Sequence, residues 1–331
     1  MNTSIRLLQE SELSTADHIF RLAFGTFIGL SEPTEFGGNA NYIQHRWRTE
    51  PTASFAAFVD GELVGTNLAT SWGSVGFFGP LSVRPDLWNQ GIAKRLIEPI
   101  MERFTQWETQ QMGLFTVPNS PRHHALYQRF GFWPRFLTAV MAKSVQQLEP
   151  VLQGARYSEI SEDKRSECLS ASKELTNAIY EGLDVSREIC AVHAQKLGDT
   201  IWLWDEAGLA GFSVCHYGAQ TEAGSNTCYV KFGAVRPGTE AGQRFEQLLD
   251  LCETLSVLQG MSRLVAGVNT SRHEAYRRMI ARGFRTEITG VAMQKPNQPG
   301  YNRPDVYVID DWRSSIICCS LDIAAYVRIF Y

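Results

Sequence analysis

The segment Leu81-Ser82-Val83-Arg84-Pro85-Asp86-Leu87-Trp88-Asn89-Gln90-Gly91-Ile92-Ala93-Lys94-Arg95-Leu96 reads as a strand that passes through a polar turn into a helix. The start of such a helix leaves backbone N–H groups unpaired beside the positive end of the helix dipole, which favours an anion. Gly91 and Ala93 keep the approach small enough for a pyrophosphate, and Lys94 and Arg95 add positive charge nearby. Other chemistries fail on their own requirements. There is no G-x-x-x-x-G-K-[ST] loop for a nucleoside triphosphate and no G-x-G-x-x-G followed by an acidic ribose ligand. No G-x-S-x-G occurs for a hydrolase nucleophile. The seven cysteines all lie after residue 160, without a CxxC pair or zinc-finger spacing to a histidine, so they read as reduced, small apolar packing residues, and no metal is expected.

The elements that must hold this loop are written twice. Val83-Arg84-Pro85 recurs as Val235-Arg236-Pro237, and Gly131-Phe132 recurs as Gly283-Phe284 with the same spacing between anchors. Between the anchors each copy carries an amphipathic helix: Ile92, Leu96, Ile97, Ile100, Met101 and Phe104 mark one, Phe245, Leu248, Leu249, Cys252 and Leu255 the other. Pro99 inside the first predicts a kink or early break. Upstream, Ser54 to Val59 reads as a strand, Asp60-Gly61 as a hairpin turn, Leu63 to Thr70 as the partner and Val75 to Val83 as a third strand. Each half then reads as two early helices, three antiparallel strands, a helix, a further strand (Leu114 to Val117, Leu264 to Val268), a short helix and a last strand (Phe136 to Ala142, Thr286 to Gln294). The expected class is α+β (mixed α/β), a central sheet flanked by helices in each of two domains. Val145 to Ala155, with Pro150 and Gly154, loses periodicity and is the expected linker. The expected domains are residues 1–150 and 156–313, with an apolar extension over 314–331 that is too short to span a membrane.

These residues together resemble the GNAT (N-acetyltransferase) superfamily. Its acetyl-CoA loop has the form Q/R-x-x-G-x-G/A, which Trp88 to Ala93 occupy, with Trp88 where Gln or Arg is usual. Val83-Arg84-Pro85 before the loop, Asn119 after the next strand, and Ala125-Leu126-Tyr127-Gln128-Arg129-Phe130-Gly131-Phe132 lie where the pattern has them, so the resemblance covers residues 50 to 142. It implies two tandem domains with mostly antiparallel, splayed sheets and acetyl-CoA as acyl-donor co-substrate. It implies that Leu81, Ser82 and Val83 hydrogen-bond the pantetheine arm through their backbone, that Trp88, Asn89, Gln90, Gly91, Ile92, Ala93, Lys94 and Arg95 surround the pyrophosphate, and that Asn119 helps hold the cofactor at the opening of the sheet. Tyr127 looks like the family's general acid. A phenol with pKa about 10 is protonated at neutral pH and can supply the departing thiolate with a proton.

An acceptor amine must lose its proton before it attacks, and no single base stands out. Glu32 and Glu35 lie in the Gly29 to Gly38 loop where the family often builds its acceptor pocket, and His123 and His124 are further candidates. Phe27, Phe36 and Trp72 are candidate pocket walls. In the second copy the position of Tyr127 holds Met279, which has no proton to give, and the loop Gly238 to Gln243 adds Glu240, a negative charge beside any phosphate. That half is expected to be degenerate: to pack on the first, shape the acceptor site, or form a homodimer.

The expected function is transfer of an acetyl group to a small-molecule or peptide amine. The rival from another class is a catalytically silent acyl-CoA- or ligand-binding module. A net charge of −4 with interleaved signs provides no basic field for nucleic acid or an anionic membrane. The first residues lack the apolar core of an export signal, so the expected location is the cytoplasm.

Overall fold

A computed structural model describes residues 2–145 and 154–312. Most of the expected linker, the extension over 314–331, and Cys318 and Cys319 lie outside the described residues. The first half runs β1 (Thr3–Leu7), α1 (Leu13–Phe27), α2 (Ile43–Thr49), β2 (Ser54–Val59), β3 (Glu62–Trp72), β4 (Val75–Phe78), β5 (Ser82–Val83), α3 (Ile92–Gln106), β6 (Gln111–Thr116), α4 (Pro121–Gln128) and β7 (Trp133–Ser144). The second runs β8 (Ala155–Arg156), α5 (Glu162–Ile179), α6 (Ser186–Ala194), β9 (Gly198–Asp205), β10 (Gly208–Gly218), β11 (Gly224–Val235), α7 (Ala241–Leu258), β12 (Arg263–Asn269), α8 (His273–Ala281), β13 (Arg285–Lys295) and β14 (Val308–Ile309).

Three features differ from the expectation. Each half begins with a strand, β1 and β8, that pairs at the edge of the sheet. The expected strand over 75–83 is broken at Gly79-Pro80: β4 pairs with β3 only to Phe78, and β5 resumes pairing with β3 at Ser82 and Val83. Proline has no N–H for a ladder, so an apolar run is interrupted there. Finally, α3 runs through Pro99 without a break. Its apolar face, with Leu96, Ile97, Ile100 and Phe104 fully buried, outweighs the hydrogen bond that proline forgoes. Asn67 on β3 donates to the Leu96 carbonyl at 3.2 Å, close to where the helix loses that bond.

The strands join into one sheet in the order β1-β2-β3-β4-β6-β13-β7-β12-β11-β10-β9-β8, with β5 on β3 and β14 on β11. The two final strands are exchanged. β13 of the second half lies between β6 and β7 of the first, with Val291 opposite Thr116 and Thr289 opposite Ala139. In turn β7 runs antiparallel to β12, from Thr138 opposite Asn269 to Ser144 opposite Arg263. Gly290 makes this close approach possible, because a Cβ there would lie 2.0 Å from the Phe115 ring.

One apolar core therefore spans both halves: Trp72, Phe77, Phe115 and Val140 pack with Phe212, Phe232, Tyr301 and Trp312. Polar groups also cross the boundary. The Arg46 guanidinium, 5% exposed, donates to both carboxylate oxygens of Glu222 at 2.8 Å, and the Lys231 ammonium donates to the same oxygens at 2.7 Å. Burial works to raise the Glu222 pKa, but the two cations prevail and hold it well below the usual carboxylate range. Removing one member would leave buried charge uncompensated, at a cost of about 3–5 kcal/mol.

Candidate active site

The parallel neighbours β4 and β6 stay paired only from Val75/Gln111 to Phe77/Gly113. Beyond that point the interruption at Gly79 turns one strand away while β6 continues, and the sheet opens into a V. A cavity of about 490 Å³ occupies the opening, within the usual size range of small-molecule sites.

One wall is the strand-turn-helix segment. Leu81, Ser82, Val83, Trp88, Asn89, Gly91, Ile92, Ala93 and Lys94 all line the cavity. Gly91 is the N-cap of α3, with φ +79° and no side chain to occupy the first-turn N–H groups. A Cβ at Gly91 would touch nothing within 4 Å, so the glycine answers a backbone requirement, the left-handed conformation, and leaves the helix start open. Trp88 is turned inward: its Nε1 donates to the Val83 carbonyl at 2.7 Å, which ties the loop to the strand before it. Arg122, at the start of α4, stacks over the Trp88 ring at 5.3 Å and donates to Asn89 Oδ1 at 3.2 Å. It adds a second cation to Lys94 at the helix start, where an anionic diphosphate would find N–H donors, a helix dipole and positive charge.

The opposite wall carries Tyr127. Its side chain is buried against Phe78 and Phe132 in the apolar cluster beneath the V, and it borders the cavity. Burial raises the phenol pKa, and a hydrogen bond with Thr116 offsets only part of that rise. The group is therefore a held proton at any physiological pH. His123 lies beside it, ring centroids 6.4 Å apart, with Phe27 edge-on at 5.1 Å. Its Nδ1 is 2.6 Å from the Ser120 hydroxyl. Burial, helped by the neighbouring Arg122 and His124, lowers its pKa to about 4, so the imidazole is neutral at pH 7.

The remaining sequence-level candidates are dispersed. Phe27 and Phe36 line the cavity with Phe24 and Ile28. Gln90 and Asn119 are exposed and outside the lining. Arg95 reaches back to the Thr3 carbonyl. Glu32 and Glu35 are exposed and also outside it, because their short loop presents Phe36 to the core instead. His124 binds the Val117 carbonyl at 3.2 Å. Trp72 sits away from the cavity, 1% exposed between Phe77 and Phe232, with its Nε1 3.4 Å from Glu188 Oε2.

Sequence reasoning passed over Arg122, Arg129 and Thr116 in the lining, and above all Ile288 and Thr289, which β13 brings in from the second half. Arg122 had a visible signal, a cation one residue after Pro121 at a helix start. The β13 pair had none, since strand exchange leaves no local mark. Among the described residues, no group of three or more His, Cys, Asp or Glu could hold a metal, and no helix is long and apolar enough to cross a membrane.

Residues 18–132 match the family described as acetyltransferase (GNAT). No curated protein matches the sequence. Among solved structures, a candidate acetyltransferase from Pyrococcus horikoshii superposes with a TM-score of 0.65 at 14% identity, covering 94% of this chain and 95% of that one. A GCN5-related N-acetyltransferase from Sphaerobacter thermophilus gives 0.58 at 15% identity over 90% and 96% of the two chains. A tandem GNAT protein from the clavulanic acid biosynthesis pathway gives 0.53 at 11% identity over 88% and 98%. At these identities the likeness speaks for the fold. Residues 18–132 thus match the GNAT acetyltransferase family, and the chain as a whole has the fold of tandem GNAT proteins.

Proposed function

We propose that the protein transfers an acetyl group from acetyl-CoA to an amine, in the first half of the chain (residues 1–150), with Tyr127 as general acid. The family supports acyl transfer in general. The observation that carries the finer reading is that a single cavity is bordered both by the open start of α3, with Lys94 and Arg122, and by the buried, protonated phenol of Tyr127. The first set fits the diphosphate of the donor, and the unpaired stretch after Phe77 leaves backbone groups free for its pantetheine arm. The second set fits the leaving sulfur.

In the reaction, the lone pair of a neutral amine adds to the thioester carbonyl, the C–S bond breaks, and the departing thiolate takes the phenolic proton. The acceptor nitrogen sheds one proton, which returns the phenolate to a phenol directly or through water. Thr116 holds the Tyr127 hydroxyl in place, and the apolar surroundings keep its proton on until the sulfur becomes basic. The second half has no part in acyl transfer in this reading; it closes the sheet and completes the cavity.

Calorimetric titration of acetyl-CoA into the intact protein tests this. One site per chain is expected, lost in Gly91→Glu, which sets bulk and negative charge at the helix start. Retained binding in that variant would remove the assigned loop.

A further inference from the structure

The cavity is bordered by cations and apolar side chains. The cations that border it are Lys94, Arg122 and Arg129. Its apolar walls include Phe24 and Phe27 on α1, Ile28 just after it, Phe36, Phe115 on β6 and Ile288 on β13. Among the described residues no aspartate or glutamate lines the cavity at all. Glu32 and Glu35, the nearest acidic residues of the loop that carries Phe36, are exposed outside it. Its other nitrogen base, His123, is held neutral by burial and by Arg122.

An ammonium that enters an apolar chamber without a carboxylate loses its hydration and gains no counter-charge, and nearby cations add to the penalty. A neutral amine meets no such barrier. An alkyl amine with a basicity like that of lysine is neutral in only about one molecule in 2,000 at pH 7, whereas an α-amino group is neutral in about one in ten. We infer that the acceptor is a weakly basic amine on an apolar body, of the arylamine kind, that enters the chamber uncharged. This rests on the acyl-transfer reading above and adds to it the substrate class. The proton balance agrees with it: a neutral amine plus the thioester gives an amide and a thiol, so the proton that leaves nitrogen replaces the one Tyr127 donated to sulfur. No strong base is then required, and among the described residues no carboxylate borders the cavity.

The strand exchange makes the second half part of this selection, since Ile288 and Thr289 close the chamber from β13. Thr289 borders the cavity and is exposed, so a polar replacement there is expected to leave the core intact.

The test uses two isomers of equal size, 4-methylaniline and benzylamine, with spermidine as the polycation, at pH 7 with saturating acetyl-CoA and the full chain. Benzylamine is the stronger nucleophile in water, so an unselective site favours it. The expected result is a kcat/KM for 4-methylaniline at least tenfold above that for benzylamine, with spermidine inert, and a ratio that falls at least tenfold in Thr289→Asp, where a carboxylate can pair with an ammonium. Preference for benzylamine or spermidine overturns the inference while leaving acyl transfer intact. Turnover of none of the three by a protein that binds acetyl-CoA in calorimetry overturns it as well. Absence of acetyl-CoA binding instead overturns the acyl-transfer reading, and this inference with it.

Discussion

The two halves share a scaffold and differ in what fills its V. In the first, β4 and β6 part after Phe77 and leave a cavity. In the second, β11 and β12 pair from Thr227/Arg263 to Val230/Ala266, and the space beyond is taken by the chain itself: β14 pairs with β11 at Gly233/Ile309 and Ala234/Val308. Arg272, at the start of α8 and 1% exposed, holds this plug. Its guanidinium donates to the Val308 carbonyl at 2.8 Å, to Asn302 Oδ1 and to Asp310 Oδ1, whose other oxygen accepts from the Tyr301 hydroxyl at 2.9 Å. Counting from the shared Gly-Phe anchors, Arg272 stands where the first half has Ser120, Glu274 where it has Arg122, Phe245 where it has Ala93, and Met279 where it has Tyr127. Helix α7 also starts one turn sooner than α3 on that alignment, and Arg236 and Arg244 pair there with Asp205. The features of the first opening that would favour an anion are reversed, wound into helix or covered in the second. A binding cleft in this fold is a default of the sheet, and closing it takes a short strand and one buried arginine.

The largest experimental effect is expected at the exchanged strands. Because β13 separates β6 from β7, fragments 1–150 and 151–331 produced apart should show neither cooperative unfolding nor acetyl-CoA binding, and mixing them should restore both. An isolated first fragment that binds would refute the dependence on exchange. Next, Arg272→Met leaves the Asp310 carboxylate and the Val308 carbonyl buried without their partner and should cost about 3–5 kcal/mol in denaturant unfolding; the same measurement on Ser120→Ala, its counterpart, should move by less than about 1 kcal/mol. Tyr127→Phe should lower kcat about 100-fold with unchanged acetyl-CoA affinity, whereas Met279→Tyr should leave kcat as it is. Arg122→Glu, which copies the second half, should weaken acetyl-CoA about tenfold in calorimetry.

The smallest effect is a pH slope. His123 in one half and His216 in the other have folded pKa values lowered to about 4 and about 3, chiefly by burial. Since the unfolded value is about 6.5, the unfolded chain takes up protons first. Their contribution is complete above pH 6.5 and is lost as pH falls toward the folded values, by about 1 kcal/mol per histidine per unit. His123→Asn should flatten the slope of stability between pH 6.5 and 5 by that amount.

Features encoded by local spacing were legible in the sequence. The strand-turn-helix segment around Gly91, the amphipathic α3 and the Gly-Phe anchors announce themselves within a few residues, and Met279 opposite Tyr127 marked the second half as different. Features made by distant pairing were not. The apolar run from Val75 to Val83 reads as one strand by its pattern, although Pro80 within it, which cannot donate to a ladder, carries the signal for the break. Trp72 reads as a pocket wall but belongs to a core whose other face, Phe232, lies more than a hundred residues away. Glu32 and Glu35 were drawn by loop position, yet it is Phe36 of the same loop that turns inward. Ile288 and Thr289 could not be found, since only the exchange of β7 and β13 puts them against β6.

That exchange also sets a timetable for the ribosome. Strand β6 cannot acquire its second neighbour, on the side away from β4, until Val291, opposite Thr116, has been made. At ordinary elongation speeds the nascent first half must wait roughly 10–35 s. Through that interval the edge of β6 and the apolar side chains of β7 are open to wrong pairing. Chaperone dependence during synthesis is the expected cost of a sheet whose two halves finish one another.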